Sequence, residues 1–99
     1  MAQFDVYAGV GRTKAYVVEL QSDLLERMAV RVVAPMVPSD HAATISGLTP
    51  LVRFKEADFL LLTYQLASVP VRELQRPVGS LASHQDAIKR ALDILFLGF

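Results

Sequence analysis

Large apolar and polar positions alternate at the start of the chain, in QFDVYAGV (residues 3–10). Phe4 and Val6 point one way and Asp5 and Tyr7 the other, as in a strand with one face in a core. GRTK follows, with Gly11 supplying a positive φ for a turn. AYVVELQS (15–22) then reads as the returning strand of a β-hairpin. SDLLER (22–27) is a short connector in which Ser22 or Asp23 caps one turn of helix. Leu24 and Leu25 are adjacent, so one turn cannot bury both, and one of them is expected at the surface. MAVRVVAPMV (28–37) is rich in β-branched residues and predicts a third strand, with Pro35 marking an edge, a bulge or a bend. PSDHAATISGLTP (38–50) is a polar excursion with room for a short strand. LVRFKEADFLLLTYQL (51–66) places two apolar runs around Lys55–Glu56–Ala57–Asp58, a hairpin with a longer turn. In ASVPVREL (67–74), Pro70 ends a ladder or marks a tight turn, and Arg76–Leu81 is a loop or a short closing strand.

The period then changes. In SHQDAIKRALDILF (83–96), Ile88, Ala91, Leu92 and Leu95 fall at helical spacing, and Gln85, Lys89 and Arg90 lie off that stripe. Ser83 and Asp86 form a capping-box-like start, and Gly98 is placed to end the helix in a left-handed cap. Several strands followed by one helix predict a mainly β fold: a small, strongly bent antiparallel sheet or barrel with the helix laid on it.

Ninety-nine residues make a single domain, residues 1–99, and 53% of them are apolar. That is more than a monomer of this size easily hides, which favours a subunit interface. No apolar run is long enough to span a membrane, and MAQFDVYAG does not read as a signal peptide. With no cysteine, disulfide and thiolate chemistry are excluded and a cytoplasmic address is expected. Ten basic residues balance ten acidic ones, so nothing broad draws the chain to nucleic acid. Basic pairs remain at Arg12 with Lys14 and at Arg72 with Arg76. His41 and His84 lack metal-ligand spacing, Ser68 lies in no nucleophile elbow, and there is no glycine-rich phosphate loop. Glu19, Glu56 and Asp58 read as solvent-side acids. The residues carry no signal for catalysis, a metal or a cofactor.

The carboxyl end, LFLGF (95–99), is uncharged and ends on Phe99. It is either packed into the core, with Phe99 closing a contact across Gly98, or kept apolar for a partner. Asp93 stands in the last full turn, where the helix dipole disfavours a carboxylate by about 0.3–1 kcal/mol. Phe96 and Leu97 flank the Leu92–Leu95 stripe and cannot join it in one core. An acid beside large apolar groups at an accessible helix end has the make-up of a small hot spot.

QFDVY (3–7), LQSDLL (20–25), LASVPV (66–71) and AIKRALDILFLGF (87–99), in this order and spacing, resemble the CcdB family, the toxin half of bacterial plasmid-maintenance toxin–antitoxin pairs. The resemblance implies a compact barrel-like antiparallel sheet of the CcdB/MazF toxin type, with a small accessory sheet and a C-terminal helix. It implies a homodimer that is not an enzyme and needs no cofactor. Such toxins bind the A subunit of DNA gyrase and trap it with its DNA cleaved, and a CcdA-like antitoxin with a disordered segment silences them.

Carried onto this chain, the family's gyrase-contacting positions are Leu24, Leu25, Asp93, Phe96, Leu97, Gly98 and Phe99. An acidic antitoxin segment would suit Arg12 and Lys14 on the first hairpin. Three positions depart from the family: Leu97 where its best-known members carry Trp, Asp93 where Asn is usual, and Phe99 where Ile is usual. The Trp stacks on a gyrase arginine, so Leu97 forgoes a cation–π contact of about 0.5–2 kcal/mol. Two other functions stay open. One is a MazF-type messenger-RNA endonuclease using Arg12, Arg31 and Thr44, residues whose spacing makes no motif. The other is a non-toxic relative that binds antitoxin alone.

Overall fold

The computed structural model describes residues 2–9, 15–25 and 27–98. Its strands are β1 (Asp5–Tyr7), β2 (Tyr16–Glu19), β3 (Val30–Pro38), β4 (Leu51–Phe54), β5 (Ala57–Leu61), β6 (Ala67–Pro70) and β7 (Gly79–Ser80), and α1 spans Gln85–Leu97. All pairings are antiparallel, in the order β4-β5-β3-β2-β1-β7. β6 branches from this path, pairing with Val30–Val33 of β3, while β5 pairs with Met36–Pro38. The result is a curled antiparallel half-barrel with one C-terminal helix, as the order of elements predicts.

Pro35 lies inside β3, an interior strand, where the sequence alone offered an edge, a bulge or a bend. The reason is the branch. The β6 ladder stops at Val33 and the β5 ladder starts at Met36, so Pro35 occupies the gap between partners. Its carbonyl accepts the Leu62 N–H at 2.9 Å, and on the other edge it stands opposite Val17 of β2.

The main core lies between the concave sheet face and α1. Phe4, Val6, Val18, Leu20, Ala34, Met36 and Leu61 pack there with Ile88 of the helix. Tyr16, Phe54 and Phe59 stack edge to face, with ring centroids 5.3–6.4 Å apart. Gly79 lies so close to Phe54 that an added Cβ would stand 2.4 Å from Cε1. Only glycine lets β7 close the sheet over that ring.

The first strand differs from its expectation. Tyr7 is buried, in a second cluster with Val17, Val33 and Leu74, so the sheet is covered on both faces here. The excursion over residues 39–50 holds turns and no strand. The turn between β4 and β5 is also tighter than the sequence implied. Phe54 pairs with Ala57, leaving two residues, Lys55 (φ 49°) and Glu56 (φ 67°), both left-handed as in a type I′ turn. An Arg53–Asp58 ion pair of 3.1 Å supports the closing strands, and Lys55 Nζ lies 5.6 Å from the Phe54 ring. Neither Lys55 nor Glu56 is a residue that marks such a turn.

At the start of α1 the expected Ser83–Asp86 box is absent. A 3₁₀ turn, Ala82–His84, precedes the helix, and no side chain caps the helix start. Ser80 Oγ instead accepts the Ala82 N–H at 3.1 Å. At the other end Gly98 takes the predicted left-handed cap, with φ 82°, and its N–H donates to the Ile94 carbonyl at 3.0 Å.

Replacing Glu56 with glycine relieves one strained left-handed residue. We expect urea denaturation to report a gain of about 0.5–1 kcal/mol.

Candidate protein-docking surface

Two exposed apolar patches stand on rigid supports. The first is the end of α1. Ile88 and Ala91 are buried and Leu92 and Leu95 half-buried, so the predicted stripe faces the core. Asp93, Phe96 and Leu97 follow one another at i, i+3 and i+4 on the open side. Phe96 is 67% and Leu97 62% exposed. Up to Gly98, which is also exposed, the tail is therefore not packed into the core.

The second patch is the 3₁₀ turn Asp23–Leu25 and the loop after it. Leu24 is 93% exposed, and Leu25 and Met28 are exposed as well. With Arg27 these residues line a concavity of about 230 Å³. Both leucines face water, where the sequence argued only that one would. Ser22 Oγ accepts the Leu24 N–H at 3.2 Å, and Asp23 Oδ1 accepts the Gln3 N–H at 2.7 Å.

The structure thus groups Leu24 with Leu25, and Asp93 with Phe96, Leu97 and Gly98. Of these residues only Leu24 and Leu25 line the concavity, beside Arg27 and Met28. Phe99, Arg12 and Lys14 lie outside the described residues.

Beside the first hairpin is a polar cluster that the sequence reading missed. Glu19, expected at the solvent side, is 3% exposed and Arg31 4%. Tyr7, Glu19 and Arg31 run diagonally across β1, β2 and β3: Tyr7 opposes Val17, and Glu19 opposes Val33. The Tyr7 hydroxyl donates to Glu19 Oε1 at 3.2 Å, and Arg31 Nε lies 3.6 Å from Glu19 Oε2. Arg31 Nη1 also donates to the carbonyls of Met28 and Val30. Burial, then the Glu19 charge, pushes the Tyr7 hydroxyl far up, so it remains a donor. Burial likewise raises the Glu19 carboxyl, against the pull of Tyr7 and Arg31. A signal for this cluster existed. Val17 shares the Glu19 face, and Arg31 interrupts a β-branched run.

Chemistry elsewhere is sparse. His84 Nε2 accepts the Arg53 N–H at 3.3 Å, which ties α1 to β4, and His41 is exposed. Among the described residues no three His, Asp or Glu side chains gather where a metal could sit. No described helix is long and apolar enough to cross a membrane. Arg31 is buried, and Thr44 lies in an exposed loop.

A half-barrel of this order with a terminal helix is the fold of small bacterial toxins. The Mycobacterium tuberculosis toxin MazF-mt6 is 18% identical with a TM-score of 0.76, over 93% of this chain and 95% of that one. A second structure, described as an Mtb toxin, is 18% identical with a TM-score of 0.72, over 88% of this chain and 98% of that one. At that identity the likeness is one of fold. The family model described as CcdB protein matches residues 3–98, and the chain belongs to the CcdB family. That membership points to the toxin of a toxin–antitoxin pair.

A carboxyl whose folded-state pKa is raised contributes stability that is complete below its unfolded value and lost as the pH rises through the folded one. Arg31→Met leaves Glu19 buried without its cation. Urea unfolding at pH 8 should report a loss of about 3–5 kcal/mol, shrinking as the pH is lowered and Glu19 takes up a proton.

Proposed function

We propose that this protein is the toxin of a type II toxin–antitoxin pair that binds the A subunit of DNA gyrase. Binding traps the gyrase–DNA cleavage complex, and a cognate CcdA-like antitoxin neutralises it. The observation that carries this reading is the open side of the last turns of α1, where Asp93, Phe96 and Leu97 face water on a helix closed by Gly98. Leu24 and Leu25 add the second apolar patch. On this reading Leu24, Leu25, Asp93, Phe96, Leu97, Gly98 and Phe99 contact gyrase, and Arg12 and Lys14 meet the antitoxin.

The toxin acts as a homodimer in the cytoplasm, as one 1–99 domain, by binding and without a cofactor. It makes no nucleic-acid contact of its own. A two-fold toxin meets a two-fold target with two copies of each patch, so modest patches act together. Among the described residues, nine exposed large apolar side chains leave surface for both the dimer and the target.

The endonuclease reading draws support from the fold shared with MazF-mt6. It is weakened by Arg31, whose guanidinium is committed to Glu19 and two backbone carbonyls. Incubation with RNA under nuclease-free conditions is expected to leave the RNA intact, and sequence-specific cleavage would favour the ribonuclease.

Calorimetry against the gyrase A subunit tests the main reading. The wild type is expected to bind, and Leu24→Asp to weaken binding by at least about tenfold. Leu97→Trp supplies a π face and should tighten binding by about 0.5–2 kcal/mol. Absence of heat at high micromolar concentration, with antitoxin binding intact, would mark a relative that binds antitoxin alone.

A further inference from the structure

Residues 22–25 and 27–30 are all exposed, so the loop that carries Leu24 and Leu25 has no described side chain anchored in the core. Its shape depends on polar ties to its backbone. One side chain ties both ends of the loop. Gln21 Nε2 donates to the Leu25 carbonyl at 3.2 Å and to the Val30 carbonyl at 3.3 Å. Its Oε1 accepts the Val32 N–H at 3.2 Å. Both amide donors and the amide oxygen are thus engaged, joining the two ends of the loop to β3. The Leu25 carbonyl also accepts the Met28 N–H at 3.0 Å, and Arg31 holds the Met28 and Val30 carbonyls from the other side.

We infer that Gln21 is a positioning residue for partner binding: its side-chain amide holds the loop so that Leu24 and Leu25 are presented in one arrangement. This rests on the reading of Leu24 and Leu25 as gyrase contacts. A loop held in its bound shape loses less freedom on association, and the gain is read as affinity. Gln21 acts through the carbonyls of Leu25 and Val30 and need not touch the partner.

Two variants test it. Gln21→Met keeps length and apolar volume but removes all three hydrogen bonds. Gln21→Glu keeps the acceptor for Val32 and places a carboxylate against the two carbonyls. Each would be titrated into the gyrase A subunit by calorimetry, well below its thermal unfolding midpoint, beside the wild type and Leu24→Asp. Amide exchange at Met28 would be followed by NMR. Both variants should lose about tenfold in affinity while folded, with faster Met28 exchange. A role confined to bracing β3 through Val32 would leave Gln21→Glu at wild-type affinity, and that result overturns the inference. So does unchanged affinity in both variants while Leu24→Asp abolishes binding, which leaves the gyrase reading standing. If the wild type gives no heat, the gyrase reading falls and Met28 exchange decides alone: unchanged exchange in Gln21→Met overturns the positioning role, and faster exchange in both variants upholds it.

Discussion

Glu19 and Arg31 meet across β2 and β3 with both side chains shielded from water. Removing two charges from water costs several kcal/mol for each ion, and their attraction offsets this only when further hydrogen bonds complete the site. Tyr7 supplies one from β1, and the Met28 and Val30 carbonyls take two more from the arginine. The pair therefore fixes more than its own geometry. It ties three adjacent strands on the outer face and reaches into the loop before β3. The same constraint explains why the outer face cannot be a solvent face: Val17, Val33 and Leu74 exclude water from the charges, and the charges align the strands that carry them.

From that framework the two apolar patches follow. Each sets large side chains in water on a backbone with little freedom. At the helix end the support is the buried Ile88–Ala91 stripe below and Gly98 above. In the loop it is a set of polar side chains reaching out from the sheet. An apolar side chain on a frayed segment gains area on docking but pays in ordering, whereas one on a fixed support keeps most of the gain. Solvent-facing leucine and phenylalanine held on a fixed backbone would lose little freedom on contact with another surface.

Much of this was legible from residue order. The first hairpin, β3, the closing strand and the terminal helix follow from period and from turn residues, and Gly98 announced its cap. The failures share a cause: a pairwise fact that no single stretch contains. Glu19 looked like a solvent acid because its cation sits on another strand. Pro35 left an edge, a bulge or a bend open because the change of partner along β3 is a property of the whole sheet. The turn at Lys55 and Glu56 was placed but read as too long, because the closing pair and the ring beneath hold it tight without marker residues. For the exposed apolar patches, the sequence pointed to Phe96, Leu97 and the two adjacent leucines. It did not supply Met28 and Arg27, which become neighbours of those leucines only when the loop folds.

The placement of β7 has a consequence for timing in the cell. β1 leaves the ribosome before the other described strands, yet one of its edges stays open until Gly79 and Ser80 arrive to pair with Asp5 and Val6. Ile88, which completes the core, comes later still. A nascent chain is therefore an unfinished sheet for most of its synthesis, with an unpaired edge and no helix over its concave face.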